Sequence, residues 1–188
     1  METRMDSNSP KDFSDLFWRL RQAGSRLAWK LGKKNVTNPP TLAVISPGGV
    51  ASTLLISELS KFVQTNSSGD SDGIKHLAQR PQNVEKVILL TGDAGTVTKS
   101  LSRRGYLGLH HAKMGNPLGV IMSGRLQEAM FRRAVRKQRR HFAIAGGSTL
   151  VVDYEEMWRH LPAIADFAGI DSELFVRGFP PKSERRQL

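Results

Sequence analysis

The residues able to do chemistry fall mainly in a few glycine-containing turns. Residues 46–53 read Ser-Pro-Gly-Gly-Val-Ala-Ser-Thr. Gly48 and Gly49 let backbone approach an anion closely, and Ser52 and Thr53 can cap a following helix and offer hydroxyls to phosphate or sulfate oxygens. No Lys precedes Ser52 or Thr53, so this is not the loop of a nucleoside triphosphatase. It is a more general phosphate cradle or an ordinary strand-to-helix turn capped by Ser52. A second turn, residues 92–95, is Gly-Asp-Ala-Gly, with Asp93 a candidate N-cap and Ser100, Arg103 and Arg104 further along the same helix. A third segment, residues 150–157, runs from an apolar strand into Asp-Tyr-Glu-Glu-Met. Lys75 and His76 follow a polar loop at 65–73, and His110 and His111 lie in a stretch, 107–117, that reads as loop.

The elements that must hold these turns can be read from periodicity. Residues 41–46 and 86–91 are short apolar runs of the kind that form buried strands. Leu55, Leu59 and Phe62 recur at helical spacing after the first turn, and the helix after the second ends at Gly105. One long helix is predicted over 119–140, and its second half is very basic: Arg132, Arg133, Arg136, Lys137, Arg139 and Arg140. Residues 142–145 and 149–152 are two further apolar runs, the second the better strand. A last helix, with Met157, Leu161, Ile164 and Phe167, ends near Gly169. Strands alternating with helices predict an α/β fold, a parallel sheet with helices on both faces. Its ligands belong at the carboxyl ends of strands, where the first two turns lie.

The chain has 188 residues, with 39% apolar residues, no Cys and a net charge of +11. The length suits one domain with an appendage: an N-terminal basic helical segment and linker over 1–40, a domain over 41–176, and a basic flexible tail over 177–188. The absence of Cys excludes a disulfide framework, a cysteine nucleophile and a thiolate-bound metal. No apolar run approaches the length of a membrane span and no secretory signal opens the sequence, so a soluble, cytoplasmic protein is expected. The charge favours polyanionic partners. Residues 12–31 place Trp18, Trp29 and four cations on a helical apolar pattern, which suits contact with a membrane surface or packing against the domain's own core.

Taken in order, the turns resemble one family, the sulfotransferases with a P-loop-like fold. Residues 45–55 are similar to its 5′-phosphosulfate loop, Ser-Pro-Arg-Ser-Gly-Thr-Thr-Leu-Leu. Residues 88–105 are similar to its 3′-phosphate segment, with Asp93, Ser100, Arg103, Arg104 and Gly105 on the pattern. Residues 74–77, Ile-Lys-His-Leu, resemble the stretch that carries the catalytic base in many members. Residues 150–169 resemble the closing strand and helix, and together these segments cover about half the chain. The chain departs from the family at Gly92, where the pattern has Arg, at Ala94, where it has Pro, and in a first loop that lacks a basic side chain.

The resemblance implies a P-loop NTPase-like three-layer sandwich that transfers a sulfuryl group from 3′-phosphoadenylyl sulfate, its donor, to the hydroxyl or amine of a small-molecule or saccharide acceptor. It implies that Gly48, Gly49, Ser52 and Thr53 hold the 5′-phosphosulfate. Ser100 and Arg103 would contact the 3′-phosphate, His76 would take the acceptor's proton, and Lys75 would neutralise the sulfate. His110 and His111 are second candidates for the base. Arg103, Arg104 or the 132–140 cluster would supply the cationic charge missing from its usual places. The competing expectation is a catalytically degenerate module of the same fold. It would grip nucleic acid or acidic polysaccharide through the seven basic residues of 125–140.

Overall fold

A computed structural model describes residues 39–146 and 148–182. Three parallel strands form the sheet, in the order β1 (Leu42–Ile45), β2 (Lys86–Thr91), β3 (Thr149–Asp153). Ile45 lies opposite Leu89, and Leu89 opposite Val151, so the three carboxyl ends form one edge. The helices are α1 (Ser52–Leu59), α2 (Ala94–Arg103), α3 (Leu107–Lys113), α4 (Pro117–Ile121), α5 (Gly124–Ile144), α6 (Leu161–Ala168) and α7 (Ser172–Gly178). A 3-10 turn, Tyr154–Glu156, links β3 to α6.

The near-continuous apolar β1 and β2 are buried on both faces, as parallel strands require, while β3 at the sheet's edge is mostly half-buried. Leu42, Val44, Ile88, Leu90 and Val152 share a cluster with Leu55 and Leu59 of α1, Ile164 of α6 and Phe175 of α7. Ala43, Ile45, Val87 and Leu89 pack instead with Ile74, Val84 and Phe142. The α/β class and the parallel sheet expected from the alternation of elements are therefore present.

The free edge of β1 is closed by a crossover segment. Thr65 makes a parallel bridge to Leu42, and the Asn66 carboxamide accepts from Val44 N at 2.7 Å and donates to Val44 O at 3.1 Å. Ser46 N donates to Lys75 O at 2.8 Å. The chain thus leaves β1, passes to one side of it, then crosses to β2 on the other. β1 stands where the direction of winding reverses, the place where sheets of this type form a crevice.

Several local expectations are corrected. Residues 107–117 are not loop: Leu107, His110, His111 and Met114 are buried at helical spacing and build α3. The single helix expected over 119–140 is two. Asn116 caps α4 with Pro117 in its first turn, and the extended Met122 and Ser123 separate it from α5. Residues 142–144 are not strand. Phe142 continues the stripe Phe131, Val135, Gln138 that α5 buries. The fold also runs past 176: Phe179 is buried, Trp158 Nε1 donates to Pro180 O at 2.9 Å, and Lys182 pairs with Glu155 at 2.9 Å. The segment 12–31 lies outside the described residues.

Candidate functional site

The first turn leaves β1 through Ser46 and enters α1 through an unusual backbone. Gly48, Gly49 and Ala51 all have positive φ, 100°, 72° and 53°. Ser52 does not cap α1, contrary to expectation. The N-cap is the left-handed Ala51, with no side-chain cap. The Ser52 hydroxyl instead accepts from Ser46 Oγ at 2.9 Å, and Ser46 Oγ accepts from Gly48 N at 3.3 Å. Beyond Gly48, the amides of Gly49, Val50, Ala51, Ser52 and Thr53 donate to no acceptor among the described residues. A left-handed turn with unbonded amides, opening a helix, is a backbone arrangement that can hold an anion.

Side chains from three other segments converge on this turn. Lys75, brought beside β1 by the Ser46 N to Lys75 O bond, reaches Thr53 Oγ1 at 2.6 Å and Ser68 O at 2.6 Å. It supplies from outside the cation that the turn's own sequence lacks. Burial pushes its ammonium below the ordinary lysine value, with Asp70 opposing. From the end of α2 come Ser100 and Arg104. A Cβ placed on Gly49 would lie 3.2 Å from Arg104 Nη2 and 3.7 Å from Ser100 Oγ. Arg104 Nε donates to Ser100 O at 3.0 Å, which fixes the guanidinium over the turn. Arg103 is exposed at the end of α2 with no contact to the turn among those described, so of the two arginines offered for the missing charge it is Arg104 that stands over the turn.

His76 is buried, and its Nδ1 lies 2.8 Å from Ser46 O. A carbonyl only accepts, so Nδ1 carries the proton and Nε2 keeps its lone pair. Burial lowers the His76 pKa from 6.5 to about 4, so the ring is a neutral base at pH 7. His110, from α3, packs edge-on against it with centroids 4.5 Å apart, and burial also holds His110 well below the usual histidine range. The His110 ring fills the space over Gly48, where an added Cβ would overlap Cε1.

Behind these groups lies an ion pair not foreseen from the sequence. Asp70, left-handed at φ 63° and buried, accepts from Lys75 N at 3.1 Å and pairs with Lys113 of α3 at 2.6 Å. It ties the Lys75–His76 segment to the helix that carries His110. Its position in a run of Ser, Gly and Asp reads as solvent-facing loop, and only the contacts reveal otherwise.

The second turn behaves as expected, with Asp93 accepting from Thr96 N at 2.8 Å. Gly92 has its own reason: a Cβ there would stand 3.3 Å from Val50 Cγ1, so this position packs beneath the first turn. The site brings together Gly48, Gly49, Ser52, Thr53, Lys75, His76 and Ser100. His111 stands apart, its Nε2 3.0 Å from Gln127 O. The basic face of α5 belongs to another surface, though Asp153, at the end of β3, pairs with Arg139 at 2.8 Å. Among the described residues, no group of three or more His, Asp or Glu side chains could hold a metal ion, and no helix is long and apolar enough to cross a membrane.

No protein-family model, no curated protein and no solved structure matches this chain.

Proposed function

We propose that this chain is a sulfotransferase with a P-loop-like, three-layer α/β fold, acting in the cytoplasm on the hydroxyl or amine of a small-molecule or saccharide acceptor. The observation that carries this reading is the convergence of Lys75 and Arg104, from separate segments, on a turn whose amides are unbonded. A neutral imidazole stands beside that turn.

The residues fit a dianionic sulfate–phosphate group. The amides of Gly49–Thr53 and the Ser52 and Thr53 hydroxyls present donors, and Lys75 and Arg104 present charge. Ser100 adds a hydroxyl beside Arg104. When bound, 3′-phosphoadenylyl sulfate supplies an activated sulfuryl group on a phosphate leaving group. His76, with Nδ1 fixed by Ser46 O, takes the acceptor's proton at Nε2. Lys75 offsets the negative charge that gathers at the turn, and its burial strengthens that effect by excluding water. His110 keeps His76 in place and covers Gly48.

A second reading, a polyanion-binding module without catalysis, is favoured by α5. Among the described residues only Arg132 and Arg139 of its cations form ion pairs. Calorimetry with 3′-phosphoadenosine 5′-phosphate separates the two readings. The expected result is saturable binding that Lys75→Met and Arg104→Ala each weaken about tenfold or more, the scale of one charge-assisted contact. His76→Ala should leave that affinity within about twofold and abolish sulfuryl transfer. No heat with the nucleotide, alongside salt-sensitive binding to generic DNA, would favour the module.

A further inference from the structure

The outward face of α5 combines two features that a solvated helix face does not need together. Phe131, Val135, Gln138 and Phe142 mark the buried side. At 100° per residue, Arg133, Arg136, Lys137 and Arg140 project from the opposite side, and all four are exposed. None forms an ion pair among the described residues, although Arg136 lies near enough to Asp93 to help hold its carboxyl below the usual range. On the same side lie Leu126, 57% exposed, and Ile144, 84% exposed. They are 18 residues apart, five full turns, so they point the same way about 27 Å from each other. Arg133, Lys137 and Arg140 thus lie within about 40° of the line joining two bare aliphatic side chains, with Arg136 at the margin of the face.

We propose that this face of α5 rests on an anionic lipid bilayer, as a peripheral contact. The cations meet the lipid phosphates and carboxylates, and Leu126 and Ile144 enter the boundary between headgroups and acyl chains. The aliphatic residues decide between partners. A nucleic-acid backbone offers the cations the same charge but gives Leu126 and Ile144 nothing apolar to bury against. This contact is independent of the sulfuryl-transfer reading, because α5 turns this face away from the core and none of the six residues touches the first turn.

The test is co-sedimentation of the full chain with vesicles, at physiological salt. One set is phosphatidylcholine alone, and the other contains about one-third phosphatidylserine. The face predicts binding to the anionic vesicles only. Arg133→Glu/Lys137→Glu should weaken it about tenfold or more, and Leu126→Ser/Ile144→Ser should weaken it severalfold while leaving binding to duplex DNA unchanged. All four positions are exposed, so thermal melts of the variants should match the parent. Three results would overturn the proposal: no binding to anionic vesicles, binding that survives the charge reversal and so belongs elsewhere in the chain, or binding indifferent to loss of the two aliphatic residues.

Discussion

Gly48 and His110 depend on each other. The glycine has φ 100°, and the imidazole occupies the space a methyl group would need. Gly48→Ala should therefore cost about 3 kcal/mol from left-handed strain and overlap. In a His110→Ala background the overlap disappears and the strain stays, so the same substitution should cost less. Urea unfolding of the four proteins of this cycle measures the difference. His76 makes a separate prediction. Its folded pKa, about 4, lies below the unfolded 6.5. The unfolded chain therefore binds the proton first as pH falls. The stability held by the neutral ring is whole above pH 6.5 and is lost progressively as pH falls toward 4, by about 3 kcal/mol. His110 shifts the same way and adds to this loss. Urea midpoints at pH 7 and pH 4.5 should differ more for the parent than for His76→Asn. An equal difference would show that His76 is not buried neutral.

At the scale of elements, β1 is held from outside by a side chain posing as a strand. Asn66 bonds both the N–H and the C=O of Val44 in a buried setting. Asn66→Ala leaves two buried backbone groups unpaired and should cost about 3 kcal/mol, with faster amide exchange at Val44 as the local signature. The strands and α1 were legible in the sequence because apolar runs ending at glycine turns leave few alternatives. α3 was not, because two of its four buried positions are His110 and His111, which read as polar until their burial is seen. The run at 142–145 misled for the opposite reason. It is short and apolar in isolation, and only its phase with Phe131, Val135 and Gln138 makes it helical. Site residues followed the same division. The glycine turn, Lys75, His76 and Ser100 were legible from type and order. Choosing Arg104 over Arg103 required the helix phase at the end of α2. Asp70 and Lys113 required the crossover that brings 70–76 against α3.

For the whole molecule, the sheet's carboxyl edge is where separate stretches of chain meet. β1 reverses the winding, the turn after it leaves amides unbonded, and cations arrive from residues 75 and 104. The net charge of +11 raises the local concentration of any anion around the molecule, but this geometry offers a place where a compact dianion would meet oriented donors. The basic face of α5 is a second, extended cationic surface, so the two differ in the ligand they suit. Amide chemical shifts of the isotope-labelled protein during titration with 3′-phosphoadenosine 5′-phosphate test this most directly. Saturable shifts concentrated at Gly49–Thr53 and at Ser100–Arg104 are expected, with α5 largely unmoved. Shifts confined to Arg133–Arg140, with the turn after β1 silent, would contradict it.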